Sequence, residues 1–280
     1  MSLVEVRDFL ARHGLAAHRD RGQNFLTDES LARVLVDLAG VGPEEKVIEV
    51  GTGLGMLTCI LAERANQVMT LEIDRGLVRA LKAEGLPPNV VLQHADAREV
   101  DFSQLARDLG GNVKIVANLP YSVGTPLLRE LLNAADSIVG WSVMLQREVA
   151  RRVVAGTGEA EYGSLSVLHE LVVEVEAKKQ VRAGNFYPKP KVDSTFLVMR
   201  PKTPAMPRDE LRRVEKVTRG AFKYRRKTLH NSLLRSGFSP EDVSKALVTC
   251  RIDARVRPER ISPPLWRMLA SELPKGKKEG

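Results

Sequence analysis

KVIEVGTGLGMLTCILAER, residues 46–64, is the stretch whose reading decides the fold. Lys46 to Val50 reads as a short apolar strand, and Met56 to Arg64 as a helix. Between them Gly51, Thr52, Gly53, Leu54 and Gly55 form a turn where missing side chains let backbone come close to a ligand. Strand, glycine turn and helix in that order open a doubly wound parallel sheet. In such sheets ligands bind beyond the carboxyl ends of the strands.

The chain on either side fits this beginning. A second strand from Gln67 to Leu71 ends at Glu72, twenty-one residues after Gly51, where a carboxylate can accept both hydroxyls of a ribose. A third, Val90 to Gln93, leads to Asp96, which can accept an adenine amino group. Dinucleotide folds use G-x-G-x-x-G, with the third glycine facing a pyrophosphate; here Met56 holds that place. The G-x-G-x-G pattern suits a ligand without a pyrophosphate, such as S-adenosylmethionine.

VKIVANLPY, residues 113–121, is the next strand, β-branched and ended by Pro120. Asn118 and Tyr121 then lie at the ligand edge, where an amide and nearby carbonyls accept hydrogens from an amino group and a ring stacks on a planar base. Helices are expected over 3–13, 31–38, 125–132 and from Gln146. Strands are expected over 138–145, 171–175 and 195–199. Asn185 to Ser194, NFYPKPKVDS, is an extended loop in which Phe186 and Tyr187 stand beside Lys189 and Lys191, a composition suited to stacking on a base near its phosphate.

Charge separates the chain into two parts. Residues 201–280 carry 20 Lys and Arg against 9 Asp and Glu, a net of +11, whereas residues 1–200 hold 23 against 26, a net of −3. A mildly acidic body with a basic attachment points to a polyanionic partner. The proline-containing linker 202–207 marks the boundary, giving domains 1–201 and 202–280. Helices are expected over 209–222, 226–234, 239–250 and 263–273, and the cluster KYRRK at 223–227 suits an RNA backbone. Hydrophobic residues make up 43% of the chain without a run long enough to span a membrane, so the expectation is a cytoplasmic protein. Its two cysteines, Cys59 and Cys250, read as buried small hydrophobes, and no metal site is expected.

The motifs GQNFL, EVGTGLGMLT, NLPY, QREVARR, YGSLSV, FYPKPKVDS and FKYRRKTLHNSL, in that order, resemble the rRNA adenine N6,N6-dimethyltransferases, specifically the branch that modifies small-subunit rRNA. The resemblance extends from Gly22 to about Ser262. It implies an α/β, Rossmann-like S-adenosylmethionine-dependent methyltransferase sheet with a small all-helical C-terminal domain. It implies that Asn24, Leu26, Gly51, Glu72, Asp96 and Asn118, with Gly53 of the turn, contact S-adenosylmethionine. Asn118, Leu119, Pro120 and Tyr121, with Phe186, would hold the target adenine. Arg147, Lys191, Arg225, Arg226 and Lys227 are the expected RNA contacts. The partner implied is small-subunit rRNA in a pre-assembled small ribosomal subunit, met by a monomer without membrane or metal. Thr52 departs from the pattern, standing where the family's turn has proline. The alternatives are a large-subunit rRNA adenine methyltransferase of the antibiotic-resistance type and a non-catalytic assembly factor on the same fold; a DNA adenine methyltransferase fits the short helical tail less well.

Overall fold

The computed structural model describes residues 2–18, 22–119, 123–224 and 226–274. Pro120, Tyr121 and Arg225 therefore lie outside the described residues. The chain divides into two compact units, 1–150 with 175–201, and 151–174 with 202–280. The break at 201/202 falls at the linker read from the sequence. Residues 151–174, which sequence reading gave to the larger domain, cluster with the helical one instead.

In the first unit the order is α1 (Leu3–Arg12), β1 (Phe25–Leu26), α2 (Glu29–Ala39), β2 (Lys46–Val50), α3 (Met56–Arg64), β3 (Gln67–Glu72), α4 (Arg75–Glu84), β4 (Val90–His94), α5 (Phe102–Asp108), β5 (Val113–Asn118), α6 (Gly124–Asn133) and β6 (Ile138–Gln146). Next comes α7 (Arg147–Val154), which runs across the division at residue 150; after α8 (Ser164–Val172) the sheet resumes with β7 (Val173–Val181), β8 (Phe186–Tyr187) and β9 (Ser194–Pro201).

Seven strands form one sheet in the order β4-β3-β2-β5-β6-β9-β7. The pairs β4–β3, β3–β2, β2–β5 and β5–β6 are parallel, and β9 runs antiparallel to β6. From β2 the chain moves outward through β3 to β4, then returns to place β5 on the other side of β2. That reversal opens a crevice beyond the carboxyl ends of β2 and β5, where a ligand finds room between diverging connections. The strands beneath are buried on both faces: Val47, Ile48, Val113, Ile115 and Ala117 are all fully enclosed. Continuous apolar strands of this kind are what a sheet covered by helices on both sides requires.

A second, two-stranded ladder pairs β1 with β8, Phe25 opposite Tyr187 and Leu26 opposite Phe186. The backbone N–H of Thr27 extends it to the carbonyl of Asn185 at 2.9 Å. It ties the N-terminal approach to the loop before β9.

The helical unit contains α8, α9 (Arg208–Phe222), α10 (Leu229–Arg235), α11 (Pro240–Thr249) and α12 (Pro263–Glu272). Its centre is aromatic: Tyr162 meets Phe222 edge-on at 5.8 Å, Phe222 meets Trp266 at 5.6 Å, and the Tyr162 hydroxyl donates to the Ile261 carbonyl at 2.8 Å. Where a buried tyrosine keeps its hydroxyl satisfied, its ring contributes packing at no polar cost.

Three local expectations need correction. Leu171 and Val172 end α8 rather than begin a strand, because Leu165, Leu168 and Val172 recur on one buried helical face. Helix α10 begins at Leu229, not at residue 226, because Thr228 caps it by accepting from the Asn231 N–H at 3.4 Å. Cys59 is exposed on the outer face of α3, and only Cys250, the C-cap of α11, is buried.

Candidate active site

Strand register assembles the site. Val50 pairs with Leu71 on one side and with Ala117 on the other, so the next residue of each strand, Gly51, Glu72 and Asn118, forms a row along the ligand edge of the sheet. Residues far apart in sequence thus meet through three adjacent strands.

The turn after β2 is shaped by glycine. Gly51, Gly53 and Gly55 have φ of 84°, 58° and 81°, values that L side chains adopt at a cost. A Cβ on Gly53 would lie 3.3 Å from the Phe25 ring. With no side chain there, the Gly53 N–H donates to Glu72 Oε2 at 2.9 Å. The Asp74 N–H donates to the other oxygen, Oε1, at 2.9 Å. Burial raises the Glu72 pKa above the ordinary carboxylate value, while the Asp74 and Gly53 N–H bonds oppose that rise.

Asp74 in turn starts α4 by accepting from Gly76 and Leu77, and its second oxygen accepts from the Gln23 amide at 3.1 Å. Gln23 thereby holds the N-terminal segment over the cavity. Asn24 continues it: its carbonyl accepts from Asn118 Nδ2 at 3.3 Å, and its own amide donates to the Gly22 carbonyl.

One cavity collects most of the expected residues. Asn24, Gly51, Gly53, Glu72, Asp96, Asn118 and Leu119 all line it, among apolar walls that include Val50, Leu71, Ile73 and Leu77. Leu26 lines instead a smaller adjoining cavity, shared with Gly51, Gly53, Glu49 and Asn118. Phe186 joins neither: it is 4% exposed and packed in the core with Leu26 and Leu35, and what surface it keeps lies on a separate groove beside Tyr187. Its place opposite Leu26 in the short ladder explains that burial.

Asp96 carries a partner in the cavity wall. The Arg98 guanidinium donates to both of its oxygens, at 2.5 to 3.1 Å, and holds its carboxyl below the usual range. The cavity therefore presents two carboxylates and one arginine that is already engaged. A pyrophosphate would meet net negative charge there, whereas an adenosine with its hydroxyls and amino group would meet acceptors. The residues present fit S-adenosylmethionine.

A family model for ribosomal RNA adenine dimethylase matches residues 14–274. The chain belongs to the ribosomal RNA adenine dimethylase family. Among its relatives, a ribosomal RNA small subunit methyltransferase A of Pelotomaculum thermopropionicum is 40% identical over 271 residues, 92% of this chain and 91% of that protein. Two solved structures share its fold. A dimethyladenosine transferase from Plasmodium falciparum superposes with a TM-score of 0.73 at 24% identity, covering 88% of this chain and 95% of its own. The 23S rRNA methyltransferase ErmE gives 0.62 at 26% identity, covering 89% and 99%.

On this dimethylase the expected RNA contacts sit in both units. Arg147 and Lys191 belong to the sheet unit, with Arg147 Nη1 3.9 Å from Asp193. Arg226 and Lys227 are exposed in the helical unit, just before α10.

Sequence reading passed over a buried network beneath the turn. Glu49 is fully enclosed, and its Oε2 accepts from the hydroxyls of Thr58 and Thr70, each at 2.6 Å. Thr70 also meets the Thr52 hydroxyl at 2.6 Å. Burial pushes the Glu49 pKa up to about 7 against the pull of those two hydroxyls. Thr52, standing where the family's turn has proline, is thus tied to β3 by a hydrogen bond. The available signal was an acid inside a buried strand with threonines nearby, since an enclosed carboxyl needs hydrogen-bond donors.

Proposed function

We propose that this chain transfers methyl groups from S-adenosylmethionine to the exocyclic amines of two adjacent adenosines near the 3′ end of small-subunit rRNA, acting as a monomer on a pre-assembled small subunit in the cytoplasm. The observation that carries the reading is the orientation of Asn118. Its Nδ2 is committed to the Asn24 carbonyl, which leaves Oδ1 as an acceptor in the cavity that Glu72 and the glycine turn also line.

S-adenosylmethionine supplies an electrophilic methyl on a sulfonium. Glu72 would accept its ribose hydroxyls and Asp96 its adenine amino group, exchanging part of the contact with Arg98, while Gly51 and Gly53 would allow close approach. The acceptor amine is a poor nucleophile because its lone pair is spread into the ring. Asn118 Oδ1 and the Leu119 carbonyl accept the two N–H hydrogens and draw the lone pair out of conjugation toward the methyl. Transfer would form the N–C bond as the S–C bond breaks, release a neutral thioether, and pass the proton of the alkylated, acidic nitrogen to water. A second transfer then needs one acceptor to tolerate a methyl. Because the base must leave its stack, Tyr121 is proposed to replace that stacking, worth roughly 1–3 kcal/mol per base. Arg147, Lys191 and the Arg225–Lys227 cluster hold the RNA backbone, with the sheet unit, 1–150 and 175–201, carrying catalysis and the helical unit, 151–174 and 202–280, adding RNA binding.

No helix among the described residues is long and apolar enough to cross a membrane. The test is transfer of labelled methyl from S-adenosylmethionine to undermethylated small subunits, with large subunits and naked DNA in parallel, followed by nucleoside analysis. Dimethyladenosine formed only on small subunits is the expected result. Transfer to large subunits would move the substrate, and RNA binding without any transfer would leave an assembly factor.

A further inference from the structure

Next to the cavity, past the Phe25–Tyr187 pair of the β1–β8 ladder, lies a groove that the reaction does not use. Phe25 lines the cavity, and its ladder partner Tyr187 lines the groove. The opposite wall is α1, which contributes Arg7, and Lys189 stands at the end of the loop. The groove encloses about 730 Å³, within the range of roughly 300–1,000 Å³ typical of ligand clefts.

Three features select the occupant. First, the Arg7 guanidinium lies 5.2 Å from the centre of the Tyr187 ring, a paired cation and aromatic surface that is only partly covered. Guanidinium planes and aromatic rings are the two side-chain surfaces on which unstacked bases rest. Second, among the described residues the lining holds two cations, Arg7 and Lys189, and no carboxylate. The acids of α1, Glu5 and Asp8, line a separate cleft on that helix. Third, Phe25 and Tyr187 stand side by side on one face of the ladder, Phe25 against the cavity and Tyr187 against the groove, so a strand of nucleic acid with one base in the cavity can lay its neighbour in the groove.

We propose that this groove binds a nucleotide flanking the target adenosine in single-stranded RNA, the base resting on Arg7 and Tyr187 and its phosphate on Lys189. The proposal rests on the rRNA-methylating reading of the cavity and assigns to the groove the placement of the neighbouring residue. Sequence alone named the loop's aromatics as stacking candidates; Phe186 also lines the groove but is only 4% exposed, so Tyr187 is the aromatic open to a base.

The full-length protein is compared with Arg7→Ala, Tyr187→Ala and Tyr187→Phe. Binding of a fluorescent single-stranded RNA is followed by anisotropy, methyl transfer to small subunits by initial rates, and S-adenosylmethionine binding by calorimetry. Both alanine variants should weaken RNA binding and raise KM for RNA by about 5- to 160-fold, the span of one lost base stack. kcat and cofactor affinity should stay at the wild-type value, and Tyr187→Phe should restore RNA binding. RNA affinity equal to wild type in both alanine variants overturns the proposal, as does failure of Tyr187→Phe while cofactor binding persists. A wild-type protein that transfers no methyl group refutes the catalytic reading instead, and the anisotropy comparison still decides the groove.

Discussion

Asn118 and Asn24 lie 94 residues apart and are joined by one hydrogen bond, from Asn118 Nδ2 to the Asn24 carbonyl at 3.3 Å. The bond sets which end of the Asn118 amide faces the cavity as an acceptor. It ties the N-terminal segment to the residue proposed to hold the target amine. Asn118→Ala should lower kcat by about 100-fold or more, the usual cost of deleting one preorganised hydrogen-bonding group at a reacting centre. RNA affinity should change by only a few fold. Single-turnover methylation beside calorimetric binding checks both, and near-normal turnover would refute the assigned role.

Glu49 predicts a pH dependence of stability. Its carboxyl has a folded pKa of about 7 against an ordinary value of 4.5, so the folded state holds the proton more tightly. Its contribution to stability is fully present below about 4.5 and is lost as pH rises to about 7. The loss amounts to about 3 kcal/mol at most. Buried His169 acts in the opposite sense: held down to about 4 by burial, it favours the fold above 6.5 and loses that effect as pH falls. The comparison must therefore be between wild type and Glu49→Gln by denaturant titration from pH 4.5 to 8. The Gln variant should gain relative stability as pH rises; parallel curves would refute the assignment.

Gly53→Ala tests the turn. The new Cβ meets both a φ of 58° and the Phe25 ring at 3.3 Å, so cofactor affinity should fall roughly tenfold, following a strain of about 1–2 kcal/mol. Gly85→Ala is the control. Gly85 has a φ of 84° with open space around its Cβ direction, so that variant should lose stability and keep its cofactor affinity. Calorimetry and thermal melting separate the two effects.

Removing the charges of Arg226 and Lys227 together should weaken RNA binding and flatten its dependence on salt. Each lost phosphate contact to a single strand lowers the slope of log K against log salt by roughly 0.7. An unchanged slope measured from 50 to 200 mM salt would place the backbone contacts elsewhere.

Sequence made the sheet edge legible because its signals are local. Glycines at 51, 53 and 55 announce a turn with positive φ, Glu72 follows a strand at the spacing that ribose recognition needs, and Pro120 ends the strand bearing Asn118. Other parts depended on distant or ambiguous information. SLSVLHELVVEV, residues 164–175, is apolar at both helical and strand spacing, and tertiary packing placed the change at Val173. The strands at 25–26 and 186–187 are too short to show periodicity, so their pairing and the burial of Phe186 could not be read. Asp96 announced an acceptor, while its capture by Arg98 depended on side-chain geometry that sequence does not specify.

The ladder between residues 25–26 and 186–187 also orders events during synthesis. Thr27 and its partner Asn185 are 158 residues apart, so the segment carrying Gln23 and Asn24 cannot be fastened over the cavity until translation has passed the loop. At roughly 5–20 residues per second, that interval is on the order of ten to thirty seconds. The cover over the cavity therefore rests on a contact that cannot exist before residue 185 has been made, and the N-terminal segment is tied down by one of the last-made parts of the sheet unit.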